Sequence, residues 1–393
     1  MQGEPTHEAE SATAPLSTRL REVFWVFLRL GFTSFGGPAA HIAMMEDEFV
    51  HRRRWLTREK FLDLLGATNL IPGPNSTEMA IHLGCLRAGW LGLVIAGTCF
   101  ILPATLLVTL LAWAYVSYGS TWENSDLLYG VKAVVIAVIA QALWNLGRSA
   151  IRTPLLLLVA IIAVGLNILH VHELAVLFGA GLAVCVCREI LRHRRAGTSA
   201  TALLMPTLPL AVTGTGAAGG AIGLGTLFLI FLKIGAVLFG SGYVLLAFLR
   251  ADLVERGGWL TEQQLFDAIA AGQVTPGPVS TTATFIGYVL LGPFGALVAT
   301  VGIFLPGFAF VALSGPLIPW IRKSKRAGDF LDGVNAGALA LMAAVTWQLG
   351  TKALIDVPTW AMAFISLVIL IRYRFNSVWL MAAGGLVGMA WKA

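Results

Sequence analysis

Apolar residues run along this chain in long blocks, among them 89 to 117, 152 to 169, 174 to 187, 293 to 314 and 360 to 371, separated by short polar or basic loops. These blocks approach or exceed the roughly 20 residues that a helix needs to cross about 30 Å of hydrocarbon. They predict an all-α polytopic membrane protein, since a β-barrel would read as short segments of alternating polarity. Two stretches interrupt the pattern. Residues 69 to 77 read NLIPGPNST and residues 273 to 281 read QVTPGPVST. Pro72, Gly73 and Pro74, and again Pro276, Gly277 and Pro278, predict breaks inside helices.

The two breaks belong to a longer internal repeat. A shift of 204 superposes residues 31 to 77 on 235 to 281 without a gap, matching Gly31 with Gly235, Phe35 with Phe239, Gly36 with Gly240, Trp55 with Trp259 and Asp63 with Asp267. After a one-residue deletion the match continues at 203, through Gly84 and Gly287, Gly92 and Gly295, Pro103 and Pro306, and Gly130 and Gly333. The chain therefore divides into a disordered tail (1–16), an N-terminal half (17–191), a linker (192–221) and a C-terminal half (222–393). The tail lacks the basic start and apolar core of a cleaved signal.

Loop charge orients the halves. HRRRW at 51 to 55 matches ERGGW at 255 to 259, whereas the acidic YGSTWENSD at 118 to 126 corresponds to a loop carrying RKSKR at 322 to 326. By the positive-inside rule, matched loops lie on opposite faces and the repeat is inverted. A parallel duplication with drifting loop charges is the alternative. Residues 20 to 50 fit either one tilted span or a hairpin bent around FGGP.

Composition agrees with a membrane protein: 57% of residues are hydrophobic and 12% charged, and the mean hydropathy is +0.79. The net charge of +6 would raise nucleic acid as a partner, but the basic residues sit in short inter-helix loops, so the bilayer is the expected partner. Cys85, Cys99, Cys185 and Cys187 lie in apolar segments with no cluster that completes a metal site. No metal, cofactor or P-loop motif is expected.

Proline frees backbone groups that hydrocarbon cannot satisfy, so a broken helix is tolerated where it lines a cavity. Paired breaks in the two halves point to a transporter site at their interface; simple kinking of packed helices is the plainer reading. A half-helix starts after each break with Asn75, Ser76 and Thr77, or with Ser280, Thr281 and Thr282, which are N-cap residue types. Free N–H groups, the helix dipole and hydroxyls make an anion site, with Gly36 and Gly240 counted among its residues. Arg29 matches Lys233, a symmetric pair of cations suited to a dianion unless they snorkel to the interface. His41, Glu78, His82 and Lys132 face Leu245, Thr282, Phe285 or Ile286, and Asn335 in the other half. Ionisable groups retained on one side only are candidates for proton coupling or for positioning the ion, with satisfied structural contacts as the alternative.

The stretches GFTSFGGPAAHIAMMEDEFV, RRWLTREKFLDLLGATNLIPGPNSTEMAIHLG and FILPA, with FLKIGAVLFGSGYVLLAFLRADLV, GWLTEQQLFDAIAAGQVTPGPVSTTATFIGY and GIFLP, resemble the two signatures of the chromate ion transporter family. The resemblance covers nearly the whole chain and implies a multi-pass protein of the bacterial inner membrane. It also implies chromate export that confers chromate resistance, with sulfate as a competing analogue. The residues themselves argue for a tetrahedral oxyanion and a transporter, not an enzyme. Sulfate or another oxyanion as the true substrate, a channel, and an intramembrane oxyanion reductase are the alternatives. Oligomeric state, a homodimer included, is left open.

Overall fold

The computed structural model describes residues 15–119, 126–195, 222–239, 242–373 and 375–392. Most of the expected tail and linker, and Gly240, lie outside the described residues. The first described helix begins at Leu16, and the last helix of the first half ends at Arg195.

The first half contains α1 (Leu16–Thr33), α2 (Gly37–Glu46), α3 (Arg58–Thr68), α4 (Asn75–Ser117), α5 (Asp126–Ala150), α6 (Pro154–Ile168) and α7 (Glu173–Arg195). The second half repeats them as α8 (Leu224–Val237), α9 (Leu245–Leu249), α10 (Glu262–Val274), α11 (Thr282–Lys323), α12 (Lys325–Ala353), α13 (Val357–Tyr373) and α14 (Ser377–Lys392). Helices α2 and α9 run on into matched π-helical turns, Asp47–Arg52 and Arg250–Arg256. Five described segments are long and apolar enough to cross a membrane: Asn75–Ser117, Tyr129–Ala150, Glu173–His193, Val279–Ser314 and Lys325–Ala353.

The FGGP segment makes a bent hairpin. Gly36 (φ 100°) and Gly37 (φ 80°) take backbone that a side chain would strain. The chain then returns along α1, so that Phe49 stacks on Phe27 at 5.2 Å, Glu48 meets Arg29 at 2.6 Å and Arg53 meets Glu22 at 2.8 Å.

Neither α4 nor α11 is a single rod. Ala88 and Gly89 leave helical backbone, as do Leu291 and Gly292, with Gly89 and Gly292 both at φ 64°. Across each break the chain folds back so tightly that a methyl on Gly84 would overlap the carbonyl of Gly92, and one on Gly287 the carbonyl of Gly295. In a continuous helix, residues eight apart stand about 12 Å apart. The arm 75–87 is thus a half-helix of about 20 Å, too short for the hydrocarbon layer.

The halves exchange their C-terminal helices. Helix α5 of the first half packs against α13 and α14 of the second, while α12 packs against α6 and α7 of the first. Matched glycines permit both crossings: Gly130 lies against the backbone of Gly384, and Gly333 against that of Ala180 and Gly181. Small residues allow such close backbone approach, which drives helix association in lipid. Helices α4 and α11 also pack on each other, bringing the two proline turns to the interface between halves.

Candidate functional site

Each proline turn is tied to the opposite half. Gly73 (φ 146°) donates its N–H to the carbonyl of Leu238 at 2.7 Å, and Gly277 (φ 102°) donates to the carbonyl of Ser34 at 2.8 Å. Position 34 shifted by 204 is 238, and position 73 shifted by 204 is 277, so this is one contact made twice. Leu238 and Ser34 are the residues that end α8 and α1. The pseudo-two-fold relation between the halves therefore passes through these turns.

Residues after the turns are buried. Ser76, Thr77, Glu78, Ser280, Thr281 and Thr282 are each at most 2% exposed. Their hydroxyls do not cap the helices as their residue types predict. Pro74 occupies the N-cap with its fixed backbone and no side-chain bond, and Thr77 and Glu78 send their N–H groups to its carbonyl. The amides of Asn75 and Ser76 precede the first intrahelical acceptor. Asn75 bonds Asn69 through its side chain at 2.7 Å. In the second copy, Val279–Thr281 forms a 3₁₀ turn. There the hydroxyl of Thr281 donates to the carbonyl of Pro278 at 2.9 Å, and that of Thr282 to the carbonyl of Val279 at 2.8 Å.

What remains is a group of buried polar atoms without partners: the hydroxyls of Ser34, Thr77 and Ser280, His41 Nδ1, His82 Nε2, Gln273 Nε2 and both oxygens of Glu78. They are eight of the thirteen such side-chain atoms among the described residues. Buried polar groups are ordinarily satisfied, so a concentration of exceptions marks a place where a ligand or water is expected. His41 Nε2 faces the carbonyl of Ser34 at 3.1 Å, the same carbonyl that holds Gly277, and its ring stands edge-on to Phe100. Tyr243 donates to Gln273 Oε1 at 3.3 Å. With Gly36, Pro38, Gln141 and Asn145, Tyr243 lines a cavity of about 230 Å³ beside the FGGP break.

Arg29 and Lys233 are placed differently from the expected anion ligands. Each is bound to a matched acid on the π-helical turn, Arg29 to Glu48 at 2.6 Å and Lys233 to Asp252 at 2.6 Å. Glu48 also takes Arg52 and Arg53, and Asp252 takes Arg256. The cavity beside Arg29 contains no residue of either proline turn. Lys132 reaches across the halves to Gln263 Oε1 at 2.6 Å, and Gln263 bonds Asp267, which accepts from Tyr115 at 3.1 Å. Lys132 thus belongs to a polar cluster on α10 that joins the two halves. Sequence reasoning passed over Ser34, Gln273 and Tyr243. Ser34 and Gln273 are polar residues directly bordering a break, and Gln273 matches Asn69, a signal that was present.

A family model described as "Chromate transporter" matches the chain twice, over residues 21–185 and 225–389, the same shift of 204. A "Chromate transport protein" of Cupriavidus metallidurans is 34% identical, covering 96% of this chain and 94% of that protein. One of Pseudomonas aeruginosa is 34% identical over 97% of this chain and 94% of its own length. A "Probable chromate transport protein" of Synechococcus elongatus is 31% identical over 89% of each. No solved structure matches the chain.

Proposed function

Because the chain belongs to the chromate transporter family, we propose that it is a secondary transporter that exports chromate, giving chromate resistance, by alternating access about its two proline turns. The observation that carries this reading is the group of buried, partnerless polar atoms gathered around both turns. The open amides of Asn75 and Ser76, the positive end of the half-helix and the hydroxyls of Ser76, Thr77 and Ser280 are donors suited to a tetrahedral oxyanion. Thr281 and Thr282 have committed their hydroxyl hydrogens to carbonyls, so they shape the second turn. Gly36, with Gly240 as its counterpart, gives the backbone room to approach. Arg29 and Lys233 act at a distance, holding the returning hairpins to α1 and α8.

The opposite charges of matched loops favour an inverted repeat, with the two turns meeting near the middle of the bilayer. The protein sits as a multi-pass protein of the bacterial inner membrane, with sulfate as a competing oxyanion. Outward movement of a dianion from a negative interior gains about 4.6 kcal/mol per 100 mV, so export requires no ATP. Oxyanion reduction is favoured by none of the related proteins. Counterflow in proteoliposomes tests the proposal: saturable exchange of labelled chromate, with chromium still hexavalent, is expected. Absence of exchange, or reduced chromium in the product, refutes it.

A further inference from the structure

The inference rests on the oxyanion-transport reading and concerns Glu78. This residue lies in the first turn of the half-helix, fully buried, with neither carboxyl oxygen partnered. The carboxyl is folded back onto the proline turn, where a methyl at Gly73 would overlap Oε1. Gly307 of α11 closes the other side, its missing methyl standing 4.0 Å from the same oxygen. His82 follows at i+4, hence on the same helix face, with Nε2 unpartnered. At the equivalent place in the second half stands Thr282, whose hydroxyl is satisfied within its own turn. A symmetric scaffold thus carries a titratable pair on one side only.

Charged groups on the surrounding elements are engaged elsewhere. From α1, Arg29 binds Glu48, and Glu22 binds Arg53 and Arg87. From α2, His41 turns Nε2 to the carbonyl of Ser34. Asp63 of α3 has an interaction of its own, and Asp267 of α10 is held by Tyr115 and Gln263. Helix α11 presents Gly307 to the carboxyl. Among the described residues no Lys or Arg is bonded to Glu78.

An ionised carboxylate here would share one turn with a bound dianion, in a medium that strengthens like-charge repulsion. We propose that Glu78 takes up one proton when the oxyanion binds and gives it up when the anion leaves, so that anion and proton cross together. Only an O–H bond forms and breaks. The proton comes from water on the loading side and returns to water on the release side, with His82 as the adjacent relay. Protonated, Glu78 turns from a repelling acceptor into a donor for the anion. Each chromate then carries one net negative charge across the membrane instead of two.

Chromate affinity of purified wild type and Glu78→Gln, measured across neutral pH, tests the proposal. Chromate's own protonation contributes equally to both, so the difference in slope isolates the residue. Wild-type affinity should fall more steeply with rising pH, by about tenfold per pH unit above the pH at which the site begins to lose its proton, and Glu78→Gln should lose that excess. Equal slopes overturn the proton role while leaving the transport reading intact. Absence of chromate binding by wild type overturns both. Should the variant fail to fold, wild type alone decides. In weakly buffered solution above the pH at which that excess fall begins, it should take up about one proton per anion bound, against a protein-free blank, and no uptake there refutes the proposal.

Discussion

Replacing Gly277 by alanine probes the turn and its neighbour together. Gly277 has φ 102°, where a side chain is strained by roughly 1–3 kcal/mol. Its new methyl would also stand 2.8 Å from the Cβ of Ala104, well inside the ordinary 3.5–4.0 Å contact of two carbons. Overpacking of that kind adds about 1–3 kcal/mol. The sum, roughly 2–6 kcal/mol, is large against the total stability of an ordinary domain. Ala104→Gly separates the two causes, because it removes the overlap and leaves the strain. Position 104 corresponds to Gly307, so the first turn already faces a glycine there. The double variant should therefore recover the overlap part, less about 1 kcal/mol for glycine inside a helix. Thermal unfolding in detergent, followed by tryptophan fluorescence, reads stability, and counterflow reads function. Wild-type stability in Gly277→Ala, or a cost of Gly277→Ala in the Ala104→Gly background as large as in wild type, would refute this account of the turn.

Three further outcomes are expected. Gly130→Ala and Gly333→Ala should each destabilise the protein by about 1–3 kcal/mol or more in the same unfolding assay, because each methyl would overlap a backbone carbonyl of the opposite half. The pair Arg58 and Glu46, at 3.0 Å, recurs with its charges exchanged as Glu262 and Arg250, at 2.8 Å. Arg58 is 67% exposed and Arg250 12%. Arg58→Ala should therefore lose under about 0.5 kcal/mol, while Arg250→Ala loses about 1–3 kcal/mol. Arg29→Met and Lys233→Met should lower the yield of folded protein while leaving chromate affinity within about twofold, as equilibrium binding will show.

Much of the architecture was legible in the chain itself. Proline and glycine dictate backbone wherever they occur, so the two breaks, the repeat and the half-helix beginning at residue 75 could be placed without coordinates. The hydroxyl residues after each break were misread as caps, because in the first copy Pro74, with its fixed φ and a carbonyl that accepts from Thr77 and Glu78, already closes the first turn. Arg29 and Lys233 were read as a pair of cations without the acids that face them. The shift of 204 that pairs them also pairs Glu48 with Asp252, the acids they bind. The exchange of α13 and α14 for α6 and α7 leaves no local mark, since an apolar helix face packs equally well on either half. Only Gly130 and Gly333, with Gly181 and Gly384, hint at it. The role of Ser34 depends on its carbonyl, a group that every residue possesses.

The central claim, that both proline turns together hold the oxyanion, is tested most directly by chromate binding to Thr77→Val combined with Ser280→Ala. Both hydroxyls are buried and partnerless in the structure, and a hydrogen bond to a charged group is worth about 1.5–3 kcal/mol. The account predicts affinity at least about a hundredfold weaker, with unfolding temperature unchanged. Wild-type affinity in the folded double variant would contradict it.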